Sequence, residues 1–141
     1  TSASGVAGAD GRGMGVVTAR VEGQNQLSIY VANDMQPNSF WSNVTAARGA
    51  APRFVEQAVP LGLAFGGDGL PQASMGIAIA DVDGEGSLDL YVTNFHSEGS
   101  NLFVRDSSGT FTDRSRTYGL YEHSTLQMGW GAQFLDADLD G

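Results

Sequence analysis

One pattern of about twenty residues occurs three times along this chain, and it limits the folds that the chain can adopt. In the central copy, over 75–94, an alternating apolar run leads into an Asp- and Gly-rich turn and then into a second apolar run. A first copy begins at Met14 and a third at Trp130. Shorter blocks between the copies also correspond, namely 38–40 with 101–103, 53–56 with 110–113, and 61–63 with 118–120. Because the matching blocks keep one order, we interpret the pattern as an internal repeat rather than as chance similarity of Gly-rich strands.

Each repeat consists of short apolar runs separated by turn residues, which is typical of strands. In the central unit we expect four strands, near 75–80, 88–94, 101–105 and 110–113. A hairpin turn is expected at 106–109, where Gly109 supplies a positive φ. The only helical candidate is the weak one at 45–51. The sequence therefore predicts an all-β protein built from four-stranded antiparallel sheets.

The length of the repeat suggests how these sheets are arranged. A period of about 55–60 residues with four strands per unit is typical of a β-propeller blade. The chain then divides into a first blade at 1–63, a second at 64–120 and the start of a third at 121–141. Propellers have about 4–8 blades. Since about two and a half blades cannot close such a ring, we expect a fragment of a larger propeller, or a chain that completes a ring by assembling with further copies.

Composition narrows the classes of function. Acidic residues outnumber basic ones by 16 to 7, all of the bases are Arg, and the formal net charge is -9. No basic stripe is present, which argues against a nucleic-acid partner. No apolar run approaches the roughly 20 residues that a membrane-spanning helix needs, which argues against membrane insertion. The chain has no Cys, which excludes disulfides, thiolate metal sites and a cysteine nucleophile.

The acidic turn of the central repeat carries the residues with the clearest chemistry. Asp81, Asp83, Glu85 and Asp89 occupy positions 1, 3, 5 and 9 of a nine-residue loop, so that their carboxylates converge. Like charges at such short range repel unless a cation neutralises them. Several oxygen ligands in a flexible loop favour Ca²⁺ over Mg²⁺, with the carbonyl of Ser87 at position 7 as a further ligand. The sequence therefore predicts a calcium site, and a solvated acidic turn is the alternative.

This spacing is similar to that of an EF-hand loop, but the loop is not an EF-hand. An EF-hand requires a bidentate Glu at position 12, where this chain has Val92 inside the next expected strand. No helices are expected on either side of the loop. The prediction is thus an EF-like ligand spacing between two strands.

The other two copies of the loop carry different residues. In the third copy, Asp136, Asp138 and Asp140 repeat the first three acidic positions, so calcium is expected there too in the intact parent protein. In the first copy the corresponding residues are Arg20, Glu22, Gln24 and Ser28. Losing three of four carboxylates predicts that the first loop binds no calcium. Arg20 either places its guanidinium where the ion would lie and pairs with Glu22, or is an exposed Arg without a partner.

The repeat resembles a known family. The run Met-Gly-x-Ala-x-Ala-Asp-Val-Asp-Gly-x-Gly-x-Leu-Asp-Leu-Tyr-Val-Thr-Asn at 75–94 is similar to the FG-GAP/VCBS repeat. Together with 10–14, 101–103, 109–113 and 129–131, it more closely resembles proteins that carry these repeats beside an ASPIC/UnbV domain, the cartilage acidic protein group. The resemblance implies a secreted or surface-exposed β-propeller whose blades bind Ca²⁺ in their inter-strand loops. It implies no particular biochemical activity.

From these features we expect a non-enzymatic, calcium-binding module with a structural or adhesive role. It would act outside the cytoplasm, secreted, at the cell surface or in a periplasm, on an extracellular protein or glycan. The sequence contains no Gly-x-Ser-x-Gly elbow of a serine hydrolase. The alternative is a carbohydrate-binding or enzyme-associated propeller module, in which an exposed Trp41 stacks on a sugar. His96 and His123 are isolated in sequence and are expected to be surface imidazoles.

Overall fold

The protein forms two four-stranded antiparallel sheets in a computed structural model that describes residues 3–6, 11–21 and 26–137. In each sheet the spatial order of the strands is their order along the chain. The first sheet contains β1 (Gly13–Ala19), β2 (Ser28–Asn33), β3 (Ser39–Asn43) and β4 (Phe54–Glu56). The second contains β5 (Ser74–Ala80), β6 (Asp89–Asn94), β7 (Asn101–Arg105) and β8 (Phe111–Asp113). The all-β prediction is confirmed, as are the four strands expected in the central unit.

Two short helices follow the sheets, α1 (Ala58–Leu61) after β4 and α2 (Leu120–Ser124) after β8. Neither of these helices, the ones found in the described residues, is long or apolar enough to cross a membrane.

The helical candidate at 45–51 is wrong. The structure has turns and bends there, in the connection between β3 and β4. The Asn43 side chain accepts a hydrogen bond from the Thr45 backbone N–H at 3.0 Å, which favours a turn. Gly49 then takes a φ of +87°, in the left-handed region that ends a helical path.

The two sheets share one apolar core. Tyr30, Phe40, Leu90 and Phe103 are each at most 1% exposed and belong to the same buried cluster, although they come from different sheets. β5 lies against β1 and β2, which brings the second sheet onto the first. Alternate residues of β2 point into this cluster, as the strand period of two requires. The core thus joins the two repeats into one packed unit.

The observed strand pairing shifts the match between 38–40 and 101–103 by one residue. Tyr30 pairs with Phe40 in the first sheet, and the corresponding Tyr91 pairs with Leu102 in the second. The structural counterpart of Leu102 is therefore Phe40, and Asn101 does not correspond to Asn38. Asn38 lies in the loop before β3, where its side-chain oxygen accepts the backbone N–H of Asn33 at 2.8 Å. The loop before β7 is one residue longer than the loop before β3, so equivalent residues lie 61 positions apart in β2 and β6 and 62 apart in β3 and β7, whereas the shared Asn and Phe letters imply 63.

The start of the third repeat packs against the second sheet and forms no strand within the described residues up to 137. Gly129 donates its backbone N–H to the carbonyl of Asn94 at 3.1 Å. The Thr93 hydroxyl donates to the carbonyl of Trp130 at 2.7 Å. The rings of Tyr91 and Phe134 meet edge to face with centroids 6.2 Å apart. This segment therefore packs onto the second sheet through contacts with β6.

Candidate metal centre

The acidic loop connects β5 to β6, and the pairing of these strands determines where its ends lie. Ala80 pairs with Asp89 across the two strands. Asp81, which directly follows Ala80, is thereby held close to Asp89 although eight positions separate them in sequence. The neck of the loop thus brings positions 1 and 9 of the acidic pattern together.

Three of the predicted ligands form a cluster. Asp81, Asp83 and Asp89 each offer a carboxylate oxygen, and these atoms all lie within 4.8 Å of one another. Asp81 and Asp83 are exposed, whereas Asp89 is fully buried. The carboxylate of Glu85 is not in this cluster, and Glu85 lies with Ser87 on an adjoining groove.

Backbone N–H groups of the loop hold the carboxylate of Asp81. Gly84 donates to Asp81 Oδ1 at 2.9 Å and Gly86 donates to Asp81 Oδ2 at 2.8 Å. Both glycines have positive φ, +75° and +82°, and a Cβ at either would meet nothing within 4 Å. Glycine is therefore favoured at these positions by backbone conformation and not by lack of space. The hydrogen bonds from the loop backbone therefore orient the carboxylate of Asp81, the first of the predicted ligands.

Asp89 has a second role that the spacing pattern did not indicate. Its Oδ2 accepts the backbone N–H of Val82 at 3.0 Å, and its Oδ1 accepts the backbone N–H of Arg105 on β7 at 2.9 Å. The buried carboxylate therefore connects the loop to β7, the strand on the far side of β6. No signal in the sequence could have identified this partner, because Arg105 is sixteen residues away.

The donor set suits a metal ion. A carboxylate oxygen has two lone pairs, so each oxygen that accepts one N–H can still contribute to a metal ion. Two oxygens on opposite sides of a Ca²⁺ ion lie about 4.8 Å apart, given Ca–O distances of about 2.4 Å. The observed cluster is at least that compact, and the three aspartates could hold a metal ion.

In the first copy of the loop, a hydroxyl group takes the place of the Asp89 carboxylate as acceptor of a backbone N–H. Ser28 stands at the position of Asp89, is 3% exposed, and accepts the backbone N–H of Asn43 through its hydroxyl oxygen at 3.3 Å. Asn43 is the counterpart of Arg105 in the strand register. Arg20 is exposed, and Glu22 and Gln24 lie outside the described residues. The pairing of Arg20 with Glu22 therefore stays a prediction.

In the third copy, only the first acidic position lies in the described part of the chain. Asp136 is exposed, and Asp138 and Asp140 lie outside the described residues. The expected calcium ligands of this copy therefore remain predictions from the sequence.

A groove of about 630 Å³, called here the hairpin groove, adjoins the cluster. It is lined by the acidic loop, the β7–β8 hairpin and the segment after β8, with Asp83, Glu85, Ser87, Val104, Arg105, Asp106, Ser107, Thr112, Arg114, Thr117 and Tyr118 on its surface. Sequence reasoning missed Arg105, Arg114 and Tyr118. These residues are scattered along the chain, and only the folding of β7 and β8 against the loop brings them to one place.

The histidines and Trp41 are the other residues that the sequence offers as possible ligand contacts. His96 and His123 are both exposed, as predicted. Trp41 is only 7% exposed, so the hypothesis that it stacks on a sugar is wrong. Trp41 lies on the central strand β3, with Ile29 of β2 and Glu56 of β4 as its cross-strand neighbours.

Asp106, which begins the β7–β8 turn and lines the groove, is expected to make the free energy of unfolding depend on pH. Hydrogen bonds donated by Ser108 and Thr110 lower the pKa of Asp106 from 3.8. A carboxyl group with a lowered folded-state pKa stabilises the fold above its unfolded pKa, and this contribution is lost as the pH falls through the folded value. We expect the difference in unfolding free energy between the wild type and Asp106→Asn to shrink below pH 3.8. Urea titrations between about pH 6 and about pH 3 measure this, and a difference independent of pH would contradict it.

Comparison with known proteins provides no assignment: no protein-family model matches the chain, and no curated protein matches it. The resemblance to FG-GAP/VCBS repeats thus stays a prediction from the motif at 75–94.

Proposed function

We propose that the chain is a calcium-binding repeat module of the FG-GAP/VCBS type, built from β-propeller blades and acting outside the cytoplasm in a structural or adhesive role. The observation that carries this proposal is the cluster of Asp81, Asp83 and Asp89 at the neck of the β5–β6 loop. The proposed role is binding and not catalysis. An extracellular protein or glycan is the proposed partner.

Calcium is favoured as the ion by the chemistry of the ligands. The cluster offers only oxygen donors, which hard cations prefer over nitrogen and sulfur ligands. Ca²⁺ takes about 6–8 oxygen ligands, more than three monodentate carboxylates supply, so Glu85 and the carbonyl of Ser87 are the proposed additional ligands. The bound ion would neutralise the repulsion among the aspartates and restrain the loop between β5 and β6.

The propeller arrangement is supported by a contact that recurs from one unit to the next. A Cβ on Gly15 of β1 would overlap the carbonyl oxygen of Met75 on β5. A Cβ on Gly76, the counterpart of Gly15, would overlap the carbonyl oxygen of Trp130, the counterpart of Met75. Each unit thus approaches the next through the same backbone positions. A constant step between units is what a propeller or another repeat array requires.

Further units are also favoured by a difference in exposure between equivalent residues. Met75 is 7% exposed, because β5 packs onto the first sheet, whereas its counterpart Met14 on β1 is 48% exposed. Val16, two residues further along the same face, is 68% exposed. We infer that this face of β1 is covered by another blade, from the same chain or from a further copy.

An extracellular location is supported by the expected strength of the site. Extracellular calcium modules bind with dissociation constants of about 10⁻⁴–10⁻³ M, which suits ion concentrations outside the cell. A loop with two exposed ligands among its three clustered aspartates resembles such a weak site more than a tight cytosolic buffer.

Calcium is therefore expected to stabilise the protein measurably. At free Ca²⁺ of about 10–100 times the dissociation constant, binding adds about 1.4–2.7 kcal/mol to the free energy of unfolding. This corresponds to a rise in Tm of about 5–10 °C relative to EDTA. Scanning calorimetry measures the rise, and isothermal titration gives the dissociation constant independently.

A matched pair of variants separates the ion from general effects of charge. Asp83→Asn is expected to abolish the calcium response while changing the stability in EDTA by at most about 0.5 kcal/mol, because Asp83 is exposed. Asp68→Asn is the control, since Asp68 is also exposed and accepts a local backbone N–H, from Leu70 at 3.0 Å, but lies outside the cluster. Equal calcium responses in the wild type and Asp83→Asn would overturn the proposed site.

A further inference from the structure

The hairpin groove holds two guanidinium groups that have no partner among the residues that the structure describes. Within the described residues, no ion pair or hydrogen bond involves the side chain of Arg105 or Arg114, and the ion pair found there joins Arg116 to Glu122. The Nε atom of Arg105 is buried and has no hydrogen-bond partner. Buried donors without partners are uncommon in folded proteins and call for a ligand or an ordered water. The arginine side of the groove therefore offers guanidinium donors that the described residues do not use.

The opposite side of the groove is acidic, and the two sides do not close onto each other. Asp83 and Glu85 line the same cavity as Arg105 and Arg114 but form no ion pair with them, in the part of the chain that the structure describes. Asp83 also belongs to the aspartate cluster, so an ion bound there would lie next to the groove. Ca²⁺ commonly completes its coordination with water or ligand oxygens. An incoming carboxylate could thus bind the ion and accept hydrogen bonds from a guanidinium.

The remaining surface of the groove favours a sugar as the carrier of that carboxylate. Ser107, Thr112 and Thr117 line the cavity, and a hydroxyl group can both donate a hydrogen bond to a sugar hydroxyl and accept one from it. Tyr118 contributes an aromatic side chain that is 47% exposed, which is suited to pack against a sugar ring. The volume of about 630 Å³ lies within the range of small-molecule sites, about 300–1,000 Å³.

We propose that the hairpin groove binds a uronic acid residue of an acidic glycan, with its carboxylate shared between the loop cation and the guanidinium groups of Arg105 and Arg114. The site rests on the proposed calcium function, because the three carboxylates that line the groove, Asp83, Glu85 and Asp106, repel an anion unless a cation is bound. Binding of the uronate therefore requires Ca²⁺. The hydroxyl-bearing side chains and Tyr118 select a sugar over an acidic peptide.

Titration calorimetry with D-glucuronic acid and its disaccharides tests this, with D-glucose and an aspartate-rich peptide as matched probes. We expect saturable glucuronate binding in Ca²⁺, at least about tenfold weaker binding of glucose, and none in EDTA. Arg114→Gln and Arg105→Gln are each expected to weaken glucuronate binding about tenfold, the effect of one lost charge-assisted contact. Arg53→Gln, at an exposed Arg outside the groove, is the control and should bind as the wild type does.

Calcium binding is measured on the same samples by terbium luminescence, which separates the two proposals. If Ca²⁺ binds to the wild type but glucuronate does not, the uronate site is wrong and the calcium function stands. If Ca²⁺ itself does not bind, the proposed function fails first. Preferential binding of the acidic peptide, or glucuronate binding that survives both Arg substitutions, would also overturn the uronate site. Tyr118→Ala, at an exposed position, provides a further test should Arg105→Gln fail to fold.

Discussion

Replacing Asp89 with Ala is expected to lower the free energy of unfolding by about 2–5 kcal/mol even in EDTA. The buried carboxylate accepts the backbone N–H groups of Val82 and Arg105, and the substitution leaves both donors without their partner. Each lost partner costs about 1–3 kcal/mol when its donor stays shielded from water. The same variant is expected to lose calcium binding, since Asp89 belongs to the aspartate cluster.

Two other variants show whether this loss is structural. Asp83→Ala should also lose calcium binding but remain close to the wild type in EDTA, because Asp83 is exposed. Asp89→Ser copies Ser28, which uses its hydroxyl in the first sheet to accept the N–H of Asn43. We expect Asp89→Ser to recover part of the stability without recovering calcium binding. Urea unfolding in EDTA measures all three, and equal stabilities of Asp89→Ala and Asp83→Ala would show that Asp89 acts as a ligand alone.

Phe103→Ala is expected to destabilise the protein by about 3–5 kcal/mol, the range for removal of a buried aromatic side chain. Phe103 is 0% exposed and lies in the cluster that contains residues of both sheets. Because this core is shared, both sheets should unfold in one transition at a lower urea concentration. Val55→Ala, on an outer strand and 45% exposed, is the control and should change stability by less than about 1 kcal/mol.

Tryptophan fluorescence distinguishes this outcome from independent unfolding of the sheets. In a Trp130→Phe background, Trp41 of β3 reports on the first sheet alone. The shared core predicts that Phe103→Ala shifts the Trp41 transition as much as it shifts the loss of β-structure seen by circular dichroism. A Trp41 transition that stays at its wild-type midpoint would contradict a common core.

The positions of strands were predictable because their signals are local. β7 begins and ends at the expected residues, and β5, β6 and β8 differ from the expected bounds by one residue at one end. The β7–β8 turn has Gly109 at a φ of +88°, as its sequence indicated. Strands and turns depend on alternating apolar residues and on Gly and Asp that lie a few residues apart, so they can be predicted without knowing the fold.

The errors arose where letters were compared without strand register. Asn38 and Asn101 share a residue type but not a structural position, since Asn38 lies in the loop before β3 whereas Asn101 begins β7. The carbohydrate-binding alternative predicts an exposed Trp41, whereas Trp41 is buried on β3, a central strand of the first sheet. The pairing of residues across strands depends on loop length and on the order of strands in the sheet. Neither can be predicted from the residues of a single strand.

For the candidate site, residues 81–89 alone were enough to predict an acidic turn and the convergence of three of its four carboxylates. Asp81, Asp83 and Asp89 belong to one short loop, and the alternation of acids with Gly specifies a tight turn whichever sheet surrounds it. Three relations depend on the folded chain: Asp89 also anchors β7, Glu85 lies outside the cluster, and Arg105, Arg114 and Tyr118 line the same groove. Those relations join residues on different strands, and they exist only once the order and register of the sheet are set.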